Sequence, residues 1–397
     1  MIIGVDAGAL SITDDRLKVG VYRVTKNALT ALAAIDKSNN YRLYSFEAIE
    51  EGILNAFDGR AKMVQLPTPG WQRVWLPLEL KKHPVDAFLG FAQSLPSVHT
   101  LCDIGFIYDL GFLHTPEAYG KNAGVLKKQT DSLVAHACHI ITISQATGAD
   151  LHAEYGLASE NITVAYPGVD ASFSPAGEKY IGPNPYFLFV GSLNRAKDIP
   201  RLIEAFGEFV TLQKAKRLDS RLRGNDTLFD LYLIGGDYWP DGAIDALIHK
   251  LHLKDRVKKM GFVHEDALLS YYRGAVALTT TALREGFCLP VAEAMACGTP
   301  VVALDRGALK EVVGEGGILV SLKSKVESRT SGFADAMERM MDRRAREVFA
   351  KKAIIQVRKF TWEKFGRQIL KKISIFSRPP LANAKGVAFK TNEYKAF

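Results

Sequence analysis

The sequence predicts an α/β protein made of two doubly wound parallel-sheet domains that face each other across a cleft. Its 397 residues exceed the roughly 100 to 200 residues of one ordinary domain. Strand and helix patterns alternate in both halves, which is typical of parallel sheets covered by helices. A stretch rich in proline and glycine near residues 167–184 separates the halves. Because ligands of such sheets bind beyond the carboxyl ends of the strands, we expect the functional site in the cleft.

Residues 1–175 are predicted to form the first domain. An apolar run at residues 2–5 predicts its first strand, and the pattern at 21–35 predicts the helix that follows. The run Thr142-Ile-Ser-Gln-Ala-Thr resembles a known turn from a strand end into a helix, which makes Ser144 the expected helix cap. The remaining strands of this half are predicted at residues 40–46, 87–91, 104–108 and 140–143.

Residues 176–360 are predicted to repeat this pattern as a second domain of the same class. Its strands are expected at residues 186–190, 228–234, 257–260, 275–279 and 299–303. The basic insertion at 214–225 has no apolar face and is predicted to be an exposed loop. An amphipathic helix with Thr361 as its N-cap is predicted at 361–376. Residues 377–397 lack core residues and are expected to be disordered.

Composition bounds the class of protein. A hydrophobic content of 47% and a charged content of 24% are those of a soluble globular protein. No apolar run approaches the roughly 18 residues of a membrane span, and the first residues carry no basic signal region, so we expect a cytoplasmic protein. The four cysteines lack metal-ligand spacing and are expected to be reduced thiols. The net charge of +8 favours anionic partners without choosing among nucleotides, acidic lipids and nucleic acid.

The most informative stretch is 284–304, which places Glu285 and Glu293 around a Gly-Phe-Cys-Leu-Pro turn. Pro290 suits the start of a short helix and Gly298 suits its end. Along one continuous helix the two carboxylates would lie about 12 Å apart, so the turn must fold the first back over the helix start. Both acids are then expected to face one pocket. The alternative is that Glu293 is only a first-turn acid favoured by the helix dipole and Glu285 a solvated loop charge.

This order of residues, followed by Ala-Met-Ala-Cys-Gly-Thr-Pro-Val-Val, closely resembles the donor-site signature of glycosyltransferase family 4 (group 1), which are retaining enzymes of the GT-B fold. The resemblance implies that Glu285 lies against the transferred sugar and that Glu293 binds the nucleotide ribose. Cys288 is a departure, since the family often has glycine there. The same signature places four further residues in the donor site: Gly286, Phe287, Cys288 and Leu289.

Other segments resemble the same family. The run from Val190 places Arg195 and Lys197 just before a helix, where two cations can hold a diphosphate and stabilise the charge that develops on it. The match is good at Lys197 and looser at Arg195, and both could instead be solvated loop charges. The segment with Phe262 and Val263 resembles the loop that holds the nucleobase. Gly20 is a candidate for close backbone approach to the donor phosphate.

In the first half, residues 106–117 resemble a family segment that usually reads His-Asp-Leu. Tyr108 stands in place of that histidine, which leaves Asp109 as the candidate for orienting or deprotonating the acceptor hydroxyl. His114 is interpreted as a packing or surface residue. The 361–376 helix resembles the family's terminal helix, which crosses back to the first domain.

The resemblance predicts a retaining, metal-independent hexosyltransferase without a cofactor. The donor would be GDP-mannose, which the first-half segments favour, or a UDP-hexose. The acceptor would be a saccharide or lipid-linked saccharide at the inner membrane face, with peripheral membrane contact, in the synthesis of a cell-surface polysaccharide. No nucleic-acid partner is expected. Two alternatives stay open: another GT-B enzyme, such as a sugar-nucleotide epimerase or a phosphorylase, and a non-catalytic scaffold.

Overall fold

Two parallel sheets organise the part of the chain that the computed structural model describes, which is residues 1–18, 20–219, 228–238, 242–321 and 330–376. Within those residues the first sheet has seven strands and the second has six, and all their pairings are parallel. The predicted α/β class with two doubly wound sheets is therefore confirmed.

The first sheet is built from residues before 165. Its strands are β1 (Ile2–Asp6), β2 (Asn40–Ser45), β3 (Ala61–Gln65), β4 (Ala87–Gly90), β5 (Cys102–Ile107), β6 (His139–Thr142) and β7 (Ile162–Val164). Its helices are α1 (Val21–Ile35), α2 (Glu51–Asn55), α3 (Leu76–Lys82), α4 (Gly111–His114), α5 (Pro116–Tyr119), α6 (Asn122–His136) and α7 (Gln145–Tyr155). The strand order is β3-β2-β1-β4-β5-β6-β7, so the connection reverses direction beside β1.

The second sheet repeats this plan. Its strands are β8 (Tyr186–Val190), β9 (Asp230–Ile234), β10 (Val257–Gly261), β11 (Ala277–Thr280), β12 (Val301–Leu304) and β13 (Gly317–Val320). Its helices are α8 (Ile199–Asp219), α9 (Ala243–Lys250), α10 (Glu265–Gly274), α11 (Leu289–Ala296), α12 (Leu309–Val313), α13 (Ser331–Arg339) and α14 (Arg343–Val357). The order β10-β9-β8-β11-β12-β13 reverses beside β8. Both reversals open the crevice in which ligands of such sheets bind.

The central strands are buried because they are apolar along nearly their whole length. Ile3, Val5, Phe187 and Leu188 are completely buried, as expected where helices cover a parallel sheet. Predicted strands at 2–5, 40–46 and 186–190 agree with the observed strands to within a residue. The strands β3, β7 and β13 have no counterpart in the sequence-based prediction, because they are short and only partly buried.

A last helix, α15 (Trp362–Phe376), packs on the first domain. The hydroxyl of Thr361 accepts a hydrogen bond from the backbone of Lys364 at 3.3 Å, which is the predicted cap. Gly366 lies against α1, where an added Cβ would come within 3.1 Å of the Ala31 side chain. The chain therefore ends its described part on the domain where it began.

Two further predictions need correction. Residues 214–219 continue α8 instead of forming a loop, and residues 220–225 lie outside the described residues. The predicted disorder of 377–397 also falls outside them. Cys102, the first residue of β5, forms a disulfide with Cys138, the residue just before β6, so the expectation of four reduced thiols is wrong for this pair. No helix in the described ranges is both long and apolar enough to cross a bilayer.

Candidate active site

A cavity of about 810 Å³ lies between the two domains, beyond the carboxyl ends of β1 and β8. Both domains line it. Eleven of the twelve residues predicted for the site contribute to its wall: Gly20, Asp109, Lys197, Phe262, Val263, Glu285, Gly286, Phe287, Cys288, Leu289 and Glu293. The twelfth, Arg195, is exposed and is not among the residues that line the cavity. The structure thus brings together residues up to 273 positions apart, counting from Gly20 to Glu293 (293 − 20).

Lys197 and Glu285 form an ion pair on the second-domain wall. The Nζ of Lys197 donates to Oε1 of Glu285 at 2.5 Å, and the side chains are 25% and 10% exposed. Burial alone would lower the pKa of Lys197, but the Glu285 carboxylate raises it above its usual value. Lys197 therefore carries a fixed positive charge in a partly buried site, where a charge acts more strongly than at the surface.

Glu293 lies one turn into α11 and is almost completely buried. Its Oε2 accepts a hydrogen bond from the Tyr272 hydroxyl at 2.8 Å, and its Oε1 accepts one from the Arg23 guanidinium. Burial raises the pKa of Glu293, while Arg23 and Tyr272 lower it and so oppose that effect. Glu293 is thus a positioned acceptor and not a solvated first-turn acid.

Arg23 reaches this acid from the opposite domain. It belongs to the first turn of α1, and its guanidinium also donates to Oε2 of Glu265 at 2.6 Å. Sequence reasoning did not identify Arg23, Tyr272 or Glu265 as site residues. Arg23 and Glu293 are 270 positions apart, and no motif around Arg23 points to its partner, so only the fold reveals this contact.

Asp109 approaches the same cavity from the first domain. Its Oδ1 accepts from the backbone N–H of Gly111 at 2.8 Å, and burial raises its pKa. The backbone of Gly286 lies directly on this segment, and a side chain there would overlap the Tyr108 carbonyl oxygen. Glycine at 286 therefore lets the second-domain loop bring Glu285 close to Asp109.

The residue that replaces the family histidine, Tyr108, is tied into the first domain. Its hydroxyl donates to the Phe91 carbonyl at 2.7 Å, and its own carbonyl accepts from the Thr147 hydroxyl at 3.1 Å. His114 lies 3.6 Å from Asp150 and not in the cavity wall. Asp109 is thus the acidic residue that this segment contributes to the cavity.

Cys288 is the cap residue before α11 and has a positive φ of 72°. Glycine adopts that conformation more easily than any other residue, which gives a physical reason for glycine at this point of the family signature. Burial and the nearby Glu285 raise the pKa of the Cys288 thiol, against the lowering effect of Lys197. The side chain narrows the cavity as a neutral thiol.

Glycine-rich backbone forms the wall beyond β8 and β9. Gly191 has a φ of 147° and Gly235 one of 138°, and a Cβ on Gly235 would overlap the Gly191 carbonyl oxygen. The two loops can approach each other only with glycine at 235. Among the described residues no group of three or more histidine, cysteine or acidic side chains is arranged to hold a metal ion.

Two more contacts join the domains beside the cavity. The guanidinium of Arg284 donates to the Asp150 carboxylate of α7, with Nε and Oδ2 3.0 Å apart. Glu311 of α12 accepts the backbone N–H groups of Gln145 and Ala146, each at 2.9 Å, and the Tyr166 hydroxyl at 2.6 Å. The two domains that form the walls of the cavity are therefore in direct contact with each other.

Comparison with known proteins supports the predicted family. Residues 184–343 match the family model of Glycosyl transferases group 1. The chain is 24% identical over 266 residues to O-antigen chain mannosyltransferase B of Escherichia coli, covering 64% of this chain and 66% of that protein. It spans just under two thirds of the length of the first curated relatives that it matches.

Solved structures show the same fold. Sucrose-phosphate synthase from Thermosynechococcus elongatus aligns with a TM-score of 0.70 at 17% identity, over 94% of this chain and 98% of that one. The Anabaena protein HepE in complex with UDP and glucose aligns with a TM-score of 0.66 at 16% identity, over 94% and 99%. The predicted GT-B fold is confirmed.

Proposed function

We propose, from the group 1 glycosyl transferase match of residues 184–343, that this chain is a retaining glycosyltransferase that moves a hexose from a nucleoside diphosphate to an acceptor hydroxyl. The observation that carries this proposal is the convergence of Lys197, Glu285 and Glu293 on one cavity between the domains. The second domain would hold the donor and the first the acceptor. Contact between the walls would exclude water, so that transfer exceeds hydrolysis.

Glu293 is proposed to bind the ribose of the donor. A carboxylate only accepts hydrogen bonds, and the two ribose hydroxyls can donate to it. In the present arrangement Arg23 occupies Oε1, whereas Tyr272 holds Oε2. A ribose that binds there must share or replace the Arg23 contact, which links donor binding to the position of α1.

Lys197 is proposed to stabilise the leaving diphosphate. Its charge is already fixed by Glu285, so little reorganisation is needed as the glycosidic bond breaks. In a retaining reaction without a protein nucleophile, a phosphate oxygen takes the acceptor proton on the same face of the sugar. Asp109 would orient the acceptor hydroxyl, since the hydrogen bond from the Gly111 N–H fixes its carboxyl group at the opposite wall of the cavity.

GDP-mannose is the proposed donor and mannose the transferred sugar. The similarity to an O-antigen chain mannosyltransferase supports this choice. A UDP-hexose is the competing donor, and the HepE structure with UDP and glucose supports that choice by fold alone. We propose that neither a metal ion nor a cofactor takes part. The acceptor is proposed to be a saccharide or lipid-linked saccharide at the cytoplasmic face of the membrane, in the assembly of a surface polysaccharide.

The experiment that tests this function is a thermal-shift panel of nucleotide sugars, which needs no acceptor. GDP-mannose is expected to raise the melting temperature, and Glu293→Gln is expected to weaken donor binding by about tenfold or more, because a charged acceptor is lost. Glu160→Gln, an exposed acid outside the cavity wall, is the matched control.

Product analysis with a radiolabelled donor then separates the remaining classes. Labelled sugar in a larger saccharide supports transfer, and an isomerised nucleotide sugar would indicate an epimerase. If no nucleotide sugar shifts the melting temperature, the proposed function is wrong and a scaffold is the better interpretation.

A further inference from the structure

The two residues that flank Glu285 both contact the first domain. Arg284 comes directly before it, and its guanidinium donates two hydrogen bonds to the Asp150 carboxylate, with Nε and Oδ2 3.0 Å apart. Gly286 comes directly after it and lies so close to Tyr108 that an added Cβ would overlap the Tyr108 carbonyl oxygen. The second-domain loop that carries Glu285 is thus held on both sides by the first domain.

The pair of Arg284 with Asp150 fixes an orientation as well as a distance. Both oxygens of the carboxylate accept from the guanidinium, and a two-point contact of this kind determines how the two planar groups face each other. The side chains are 27% and 13% exposed, so the pair is partly shielded from solvent. It therefore differs from an exposed ion pair, which holds its side chains only loosely.

The two contact points on the first domain belong to one connected unit. Asp150 lies in α7, which begins at the Ser144 cap. One turn before Asp150 on the same helix, the Thr147 hydroxyl donates to the Tyr108 carbonyl at 3.1 Å. That carbonyl is the group on which Gly286 rests. Asp150 and Tyr108 therefore keep a fixed spacing and act on the loop together.

The position of this loop decides where the Glu285 carboxylate lies. In its own domain, the Glu285 carbonyl accepts the N–H of Ala308 at 3.0 Å, and its Oε1 accepts from Nζ of Lys197 at 2.5 Å. A shift of the backbone at 284–286 would move the carboxylate relative to both Lys197 and the cavity. A displacement of about 1 Å in a reacting site can lower the rate about 100-fold, so the anchoring of the loop bears directly on catalysis.

We infer that Asp150 is a positioning residue for catalysis, which acts through Arg284 to fix the loop that carries Glu285 when the two domains are in contact. Asp150 itself lies outside the cavity wall that the described residues form, so it acts only through its partner. The inference rests on the proposed function, in which Glu285 would face the transferred sugar. It adds that the first domain controls this contact: the donor binds to the second domain, and transfer becomes efficient once Arg284 has met α7.

The test is a double-mutant cycle with Asp150→Ala, Arg284→Ala and the variant that carries both substitutions. Turnover is measured as the release of GDP from GDP-mannose at saturating donor. We expect kcat to fall about 10- to 100-fold in each single variant. The affinity for GDP, which has no sugar for Glu285 to contact, should stay within about threefold of the wild type. The double variant should be at most about threefold slower than the slower single variant, because both substitutions remove the same contact.

Two control variants separate the positioning of the loop from domain contact in general. Glu311→Gln weakens the other contact of α7 with the second domain, at the N–H groups of Gln145 and Ala146, and leaves Arg284 in place. Glu154→Ala changes an exposed acid of the same helix. Both controls should keep kcat within about threefold of the wild type. Circular dichroism checks that every variant is folded.

A second measurement depends neither on the donor nor on transfer. Because the N–H of Ala308 donates to the Glu285 carbonyl, hydrogen exchange at this amide reports whether the loop stays in place. Exchange at Ala308 should be about tenfold faster in Asp150→Ala than in the wild type. The amide of Asp305, which donates to the Val320 carbonyl at 3.0 Å, is the internal control and should exchange at an unchanged rate.

Three kinetic results would overturn the inference: a kcat of folded Asp150→Ala within about threefold of the wild type, an equal loss in Glu311→Gln, or losses that multiply in the double variant. Unchanged exchange at Ala308 in Asp150→Ala would overturn it as well, whatever reaction the protein catalyses. If the wild type binds no nucleotide sugar but exchange at Ala308 becomes faster as expected, the proposed function fails, and Asp150 remains the residue that positions the loop.

Discussion

The two domains share a strand order but end their first strand differently. β1 ends at Asp6, a buried carboxylate that accepts the N–H of Gly8 and the amide of Gln72, each at 3.0 Å. β8 ends at Val190 and is followed by Gly191 and the Lys197 turn, which line the cavity. The same topology thus places a buried, hydrogen-bonded carboxyl group at the strand end in one domain and a glycine and a charged turn of the cavity wall in the other. The residues that follow the strand, and not the strand order, decide which.

Of the substitutions that test this difference between the domains, Lys197→Ala in the second domain is expected to have the largest effect. Lys197→Ala removes the fixed cation and leaves Glu285 without its partner. We expect kcat to fall about 100- to 1000-fold, as is typical when one group that stabilises transition-state charge is lost. Steady-state kinetics at saturating donor measure it.

Arg195→Ala is the matched control for this prediction, since Arg195 is an exposed cation on the same turn and outside the cavity wall. Its kcat should stay within about threefold of the wild type, as for ordinary surface charges. Equal losses in both variants would contradict the assignment of the diphosphate contact to Lys197 alone.

In the first domain, Asp6 is expected to make stability depend on pH. Burial raises the pKa of Asp6 from 3.8 to about 6, so the folded state keeps a proton that the unfolded state has lost. Stability should therefore fall as the pH rises from about 4 to 6, by about 3 kcal/mol at about 1.4 kcal/mol per pKa unit. Urea unfolding of the wild type and Asp6→Asn across this range measures the difference.

Other groups titrate in the same range, so the test is the difference between the two pH profiles. As the pH rises from about 4 to 6, the wild type should lose about 3 kcal/mol of stability relative to Asp6→Asn. Parallel profiles would mean that Asp6 is already ionised in the folded protein at pH 4. The burial of Asp6 at the end of β1 would then not make stability depend on pH.

The contact between the domains at Arg23 should have a smaller effect. Arg23→Ala leaves the buried Glu293 with Tyr272 as its neighbour, and we expect a loss of about 2 kcal/mol, less than for a fully buried pair because Arg23 is 24% exposed. Glu265→Ala removes the other partner of Arg23, which is 49% exposed, and should cost less than about 1 kcal/mol. Thermal unfolding compares the stability of the two variants. Equal losses would show that the buried pair of Arg23 with Glu293 is not stronger than the exposed pair of Arg23 with Glu265.

The sequence was sufficient for the parts of the fold that local rules determine. Residues 21–35 form a helix at the predicted limits, Pro290 and Gly298 bound α11 as expected, and Ser144 caps α7 by accepting the N–H of Thr147 at 3.1 Å. Each of these depends on neighbours within one or two turns. The same holds for Glu285 and Glu293, whose spacing on either side of one turn predicts a common pocket.

What the sequence did not reveal depends on distant residues. Arg23 and Tyr272 meet at Glu293 only after both sheets have formed. The disulfide of Cys102 with Cys138 joins residues 36 positions apart, at the starts of the neighbouring strands β5 and β6. Arg195 and Lys197 lie two positions apart in a basic turn, yet the turn directs them to different surroundings. Charge patterns alone do not determine which side chain faces the cavity.

The cap that Glu311 provides has a consequence for domain motion. The first two N–H groups of helix α7, in the first domain, donate to the Glu311 carboxylate of the second domain and not to a neighbouring residue of the first domain. Separation of the two halves would expose those amides to solvent and release the Tyr166 hydroxyl at the same time. Amide hydrogen exchange at Gln145 and Ala146 would therefore report how often the two domains separate, and the measurement needs no attached label.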